Sequence, residues 1–237
     1  MRILAFESSA KAASVALLED GHLLGEYYQN SGQTHSRTLM QMAADLLQNC
    51  DCTAGDIDAA AVAAGPGSFT GVRIGVAAAK GFAWGREIPC YGVSTLEAMA
   101  VTARHLDGVI CCAMDARRSQ VYNALFQAAD GSLTRLTPDR AISLRELEDD
   151  LKKYKNSIIL IGDGAVLCYN TLGQTIEGLK LMPEPLRMQR ACGVALLAQA
   201  MAETGTAPDA AALAPNYLRL SQAERERQAR LQQQGKD

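Results

Sequence analysis

Ile3-Leu-Ala-Phe6, Ser14-Val-Ala-Leu17 and Leu23-Leu-Gly-Glu-Tyr-Tyr28, with Asp20-Gly21 between the last two, decide how this chain folds. An apolar run, an alternating run and a return after an Asp-Gly turn read as a three-stranded meander. Outward from it, Leu39, Met42, Leu46 and Leu47 recur at helical spacing from about Thr34 to Gln48, and Ala59 to Ala64 is a short buried strand. A helix from about Thr70 to Trp84, a strand at Cys90 to Val93 and a helix through Ala103 complete this half.

The order then starts again. Val109 to Met114, a turn at Arg117-Arg118, Val121 to Gln127, an Asp130-Gly131 turn and a strand near Leu133 make a second meander. Ser143 and Glu146 form a capping box for a helix to about Lys153. A strand at Ser157 to Ile161, a helix, a weak strand near Leu179 and one long helix from Arg187 to Ala202 follow. Both halves read βββαβαβα, as two lobes of a duplicated ribonuclease-H-like α/β fold require. The expected division is a first lobe over 1–104, a second over 105–186, a long helix and return segment over 187–220 packing between or back onto the lobes, and a charged tail over 221–237.

At 237 residues, 48% of them hydrophobic, the chain can bury a large core. No apolar run is long enough for a membrane span and no signal-peptide pattern precedes Glu7, so the expected location is the cytoplasm, with no membrane partner. Seven cysteines, with Cys50-Asp-Cys52 and Cys111-Cys112 but no Cys-x-x-Cys, read as reduced thiols rather than a zinc or redox site. A net charge of −3 gives no global field for a polyanion, so any RNA contact is local or made by a partner.

Gly65-Pro-Gly-Ser-Phe-Thr-Gly-Val-Arg-Ile-Gly75 is the most distinctive stretch. Its glycines allow close backbone approach, and Thr70 is placed to cap the following helix. It is not a P-loop, because Gly71-Val72-Arg73 stands where Gly-Lys-Ser/Thr would be. Gly71, Gly75 and Ala79 share one helix face beside Val72 and Val76, a face that admits a close helix from this chain or from another. Glu7-Ser8-Ser9 offers hydroxyls and amides to a phosphate, or forms a polar hairpin. Glu7, Asp115 and Asp163 form either a carboxylate cluster or separate loop residues. His22, His35 and His105 have no metal-binding spacing, and Ser68 lies outside a nucleophile elbow.

Ile3 to Ser9, Gly65 to Gly75, Gly92-Val-Ser-Thr-Leu96, Met114-Asp-Ala-Arg117 and Asn216-Tyr-Leu-Arg219 together resemble the TsaB family. The resemblance spans almost the whole chain and implies an actin-like, two-lobed fold of the ATPase superfamily. It also implies a non-catalytic subunit of the machinery that attaches threonylcarbamoyl to the adenosine beside the anticodon of tRNA. The implied partners are the catalytic homologue TsaD and the small ATPase TsaE, with tRNA met only through the complex and a homodimer when the partner is missing. Catalytic relatives carry two histidines, four apart, that hold a metal. Thr95 and Met99 stand at those positions here, so the metal site is expected to be absent.

Carried onto this chain, the partner surface of the family falls on His35, Thr38, Leu39 and Met42 and on Gly71, Val72, Gly75, Val76 and Ala79. Leu160-Ile-Gly162-Asp163-Gly164-Ala165 only approximates the adenosine loop of the superfamily, leaving Glu7, Ser8, Ser9, Asp115, Gly162 and Gly164 as residual nucleotide-site candidates. No intrinsic cofactor is expected, ATP and metal belonging to the partner subunits. The alternatives are an ATP-dependent small-molecule kinase of the same fold, acting through Glu7 or Asp115, and a peptidase, for which no constellation stands in the sequence.

Overall fold

A computed structural model describes residues 1–155, 157–205 and 210–219. β1 (Arg2–Glu7), β2 (Ala13–Glu19) and β3 (His22–Gln29) form the first meander, followed by α1 (His35–Asn49), β4 (Ala59–Gly65), α2 (Phe69–Trp84), β5 (Cys90–Ser94) and α3 (Thr95–Thr102). The sheet order is β3-β2-β1-β4-β5. β1 runs antiparallel to β2, with Ile3 opposite Leu18, and parallel to β4, with Ile3 opposite Ala59. Tight turns reverse the chain within the meander, whereas the helical crossovers return it parallel.

β1 is central and buried on both faces. Leu4 and Phe6 point into the core under α1 and α2, and Ile3 and Ala5 into the core on the other face. β4 carries alanine at five of its seven positions, small enough to bring helices close on either side.

β6 (Gly108–Asp115), β7 (Gln120–Ala129), β8 (Ser132–Arg135), β9 (Arg140–Ser143), α4 (Leu144–Leu151), β10 (Ile158–Ile161), α5 (Ala165–Leu172) and β11 (Leu179–Leu181) build the second sheet, ordered β11-β10-β6-β7-β8 with β9 also on β7. β9 departs from the expected repeat. β7 pairs β8 along Phe126 to Ala129 and β9 along Gln120 to Asn123, so two short strands share the edge where the first lobe has one. Ser143 and Glu146 do form the capping box of α4.

The expected long helix from Arg187 is broken. α6 (Glu184–Arg187) ends before an extended Met188, and α7 (Ala191–Glu203) begins after an extended Arg190. The break has a physical cause in other strands. Ser14 Oγ accepts from the Ala191 amide at 3.0 Å, and Glu26 Oε1 accepts from the Cys192 amide at 3.1 Å. The first amides of α7 are thus capped from β2 and β3, and Arg190 pairs with Glu26 at 3.1 Å.

α7 packs on the first sheet, where Val194, Ala195 and Ala198 meet Ile3, Ala5 and Ala61. α3, placed by the sequence wholly in the first lobe, serves both lobes. Ala98 joins the α7 core, while Leu96, Met99, Ala100 and Ala103 complete the core of the second sheet against Met114 and Phe126. The charged tail over 221–237 lies outside the described residues.

The glycine face of α2 looks inward. A Cβ on Gly71 would lie 2.1 Å from the Ser8 carbonyl oxygen, and one on Gly75 would lie 2.5 Å from Ser8 Oγ and 3.2 Å from Val62. The cap of α2 is Ser68, whose Oγ accepts from the Gly71 amide, rather than Thr70. Gly75→Leu is therefore expected to destabilise the fold by about 2–4 kcal/mol, read from urea denaturation. Gly81, with no atom within 4 Å of an added Cβ, tests the contrast. There Gly81→Ala should gain about 0.5–1 kcal/mol of helix stability.

Candidate functional site

β1 ends at Glu7, and the chain turns through Ser8, Ser9 and Ala10 between the starts of α1 and α2. That turn is held by its own chain. Ser8 Oγ donates to the Gly71 carbonyl at 2.9 Å, the Ser68 amide donates to the Ser9 carbonyl at 2.6 Å, and His35 Nε2 lies 2.7 Å from the Ala10 carbonyl. The Ser9 amide donates to Glu7 Oε1 at 2.6 Å. A carboxylate of the protein thus occupies the amide that an incoming phosphate would need.

Facing it, Asp163 lies between Gly162 and Gly164 after β10. Cβ atoms on these glycines would lie 2.2 Å from the Ala113 carbonyl oxygen and 2.8 Å from the Asp115 amide nitrogen, so both are spent on contact with β6. Asp163 accepts from Gln189 Nε2 at 3.0 Å. Asp115 accepts from the Arg117 amide at 2.7 Å and pairs with its guanidinium at 3.3 Å.

The three acids are brought into electrical contact. Burial pushes the Asp163 carboxyl up, and the charge of Asp115 adds to this. Burial likewise pushes Glu7 up to about 7, with the charge of Asp163 adding and the bond from the Ser9 amide opposing. Glu7 Oε2, Ser9 Oγ and Gln189 Oε1 are buried without a hydrogen-bond partner among the described residues. The arrangement can hold a proton on Glu7.

Thr95 and Met99 lie within the core, at 0% and 2% exposure. A hydroxyl and a thioether enclosed there do not fit a divalent ion. Among the described residues no group of three or more His, Cys, Asp or Glu side chains is placed to hold a metal.

The expected partner surface needs correction. Leu39, Gly71, Val72, Gly75, Val76 and Ala79 are buried inside the lobe. α2 packs its small face on the β1 turn, so that face is not offered to another chain. His35 is half-buried on Ala10, and Thr38 and Met42 line an open groove of about 640 Å³ with Tyr27, Tyr28, Arg37 and Gln41. The outward faces carry other residues: Arg37, Met40, Gln41 and Ala44 on α1, and Thr70, Arg73, Ala77, Gly81 and Trp84 on α2. Met40 is 45% exposed and Trp84 69% exposed.

Two elements of the site had no legible role in the sequence. Gln189 falls inside the helix expected from Arg187 to Ala202, whereas it lies in the extended break between α6 and α7. Asn216-Tyr-Leu-Arg219 had no partner in view, yet it straps the lobes. The Asn216 amide donates to the Ala64 carbonyl at 2.7 Å, and Arg73 Nε donates to Tyr217 Oη at 2.7 Å. Tyr217 stacks on Phe69 with centroids 4.7 Å apart, and Arg219 donates to the Ala116 carbonyl at 2.5 Å.

This geometry has close relatives. The family model for TsaD, tRNA N6-adenosine threonylcarbamoyltransferase, matches residues 27–227. The tRNA threonylcarbamoyladenosine biosynthesis protein TsaB of Bacillus subtilis (strain 168) is 35% identical over 226 residues, covering 94% of this chain and 96% of that protein. The chain belongs to the TsaB family. TsaB of Escherichia coli (strain K12) is 35% identical over 167 residues, covering 69% of this chain and 72% of that protein. A Pseudomonas aeruginosa structure described as similar to the peptidase YeaZ superposes with a TM-score of 0.79 at 26% identity, over 92% of this chain and 99% of that one. The ethanolamine utilization protein EutJ of Carboxydothermus hydrogenoformans, at TM-score 0.51 and 10% identity over 83% of this chain and 89% of that one, shares the fold alone. The two lobes have the actin-like fold, and the ends of β1 and β6 and the turn after β10 bring the three acids together.

A raised Glu7 sets the pH dependence of stability. In the unfolded chain Glu7 loses its proton near 4.5, but in the fold it keeps it to about 7, so the folded state binds more protons in between. The resulting stability is present below about pH 4.5 and is lost as pH rises to about 7. Glu7→Gln should remove that loss. It should be more stable than the parent at pH 8, by up to roughly 3 kcal/mol, and similar to it near pH 4.5 when denaturation is followed across pH.

Proposed function

We propose that this chain acts in tRNA threonylcarbamoyladenosine biosynthesis as a non-catalytic subunit that binds a TsaD-type catalytic homologue and makes it competent for transfer to the adenosine beside the anticodon. The observation that carries the reading is the closed state of the ancestral chemistry. Thr95 and Met99 are enclosed where relatives place metal ligands, and Glu7 occupies the amide of the phosphate turn. ATP and metal then belong to the partner subunits, the small TsaE-type ATPase among them. Among the described residues no arrangement of nucleophile and base around Glu7, Asp115 and Asp163 favours a kinase or a peptidase.

The partner surface in this reading is the outward face of α1 and α2, with Met40 and Trp84 as apolar anchors and Ala44, Ala77 and Gly81 as small positions that let a facing helix approach. The same face pairs two copies when the homologue is absent, because one self-complementary helix pair suits both. The chain works in the cytoplasm and meets no membrane; among the described residues no helix is long and apolar enough to cross one.

Transfer of threonylcarbamoyl to tRNA by the reconstituted system tests this. Activity is expected only when this chain and the catalytic homologue are both present, and activity from this chain alone would refute the subunit reading. Trp84→Ala and Met40→Asp should each weaken homodimer and heterodimer formation about tenfold or more, measured by light scattering on size-fractionated samples over a range of concentrations, while leaving the melting midpoint near the parent's. Unchanged association in both variants would place the interface elsewhere.

A further inference from the structure

The strap over 216–219 brings cations and aromatic rings to one edge of the molecule, where the turn from β6 to β7 meets the start of α2. Arg73 lies over the Phe69 ring at 3.9 Å, Phe69 stacks on Tyr217, and Tyr217 is 41% exposed. Two residues further on, Arg219 holds the Ala116 carbonyl, which fixes the strap beside Arg117 and Arg118. Those two arginines are exposed, and with Ser119 they form three consecutive left-handed residues with φ of 64°, 57° and 54°. Without glycine such a turn is unfavourable, and here it projects two guanidinium groups. Among the described residues only Arg117 of these four arginines pairs with a carboxylate, Asp115. The chain as a whole carries a net charge of −3, so the cationic strip is a local departure.

We propose that this strip, formed by Tyr217, Arg118 and Arg219 with Arg117 at its rim, and with Arg73 bracing the rings from the α2 side, is a direct contact for single-stranded RNA. Guanidinium groups that, Arg117 apart, meet no carboxylate among the described residues answer phosphates, and an exposed ring supported from behind by Phe69 offers a face to an unpaired base. An acidic polypeptide would use the charges and leave the ring face idle, whereas a duplex keeps its bases stacked away from it. The choice of tRNA as the RNA rests on the subunit reading above, and its unpaired anticodon loop is the part such a strip fits.

Fluorescence anisotropy of the full chain with a labelled tRNA anticodon stem-loop tests the contact, with a fully paired RNA duplex and polyglutamate as competitors. Binding at low salt should weaken with a log-log slope of roughly −2, as about three contacts to a single strand give. Arg118→Glu, at a position exposed to solvent, should bind about tenfold more weakly with a shallower slope. Tyr217→Ala should lose about tenfold with the slope unchanged, provided its melting midpoint stays near the parent's. Equal affinity of parent and Arg118→Glu would overturn the proposal, as would absence of binding or polyglutamate competing as well as the RNA. Transfer by the assembled complex is read in parallel. If it requires this chain while Arg118→Glu keeps the parent's KM for tRNA, the RNA contact fails and the subunit reading stands. If it does not require this chain, the subunit reading fails and the anisotropy still decides the contact.

Discussion

The close approach of α2 to the turn after β1 is the contact on which the rest depends. Gly71 and Gly75 bring the helix backbone and Ser8 together, so that Ser8 Oγ reaches the Gly71 carbonyl and the Ser68 amide reaches Ser9. With the turn fixed, β1 runs between two cores and ends at Glu7, fully buried and within reach of the Asp163 charge. A side chain on either glycine would push α2 off the sheet, and the loss would be felt in the Val72 and Val76 packing as well as at the turn.

The lobes are joined by exchange rather than by a hinge alone. α3 leaves the first sheet to complete the core of the second, and α7 comes back from the second half to cover the first. Polar contacts reinforce both crossings. Ser94 at the start of α3 donates to Asp139 at 2.6 Å, and Arg135 bridges Asp139 and Glu97 at 2.7 and 2.5 Å. Ser14 and Glu26 cap α7, and the strap closes the remaining side from Asn216 to Arg219.

Much of this was legible in the chain itself. The meanders, both Asp-Gly turns, the Ser143 and Glu146 capping box and the duplicated order follow from local rules, because alternation, helical spacing and turn chemistry act over a few residues. β9 was not legible, since four half-buried residues give no periodic signal. The break before α7 was hidden for another reason: its caps, Ser14 and Glu26, lie more than 160 residues away in sequence.

The sequence by itself determined the fold class and the presence of a face of small residues on α2, because glycine spacing on a helix is a local property. Only the tertiary structure decided which way that face points, since its neighbour, Ser8, is 63 residues distant along the chain. The same holds for the acids. Glu7, Asp115 and Asp163 lie far apart along the chain, and it is the folding of three strand ends to one place that buries Glu7, half-buries Asp163, couples their charges and moves their protons.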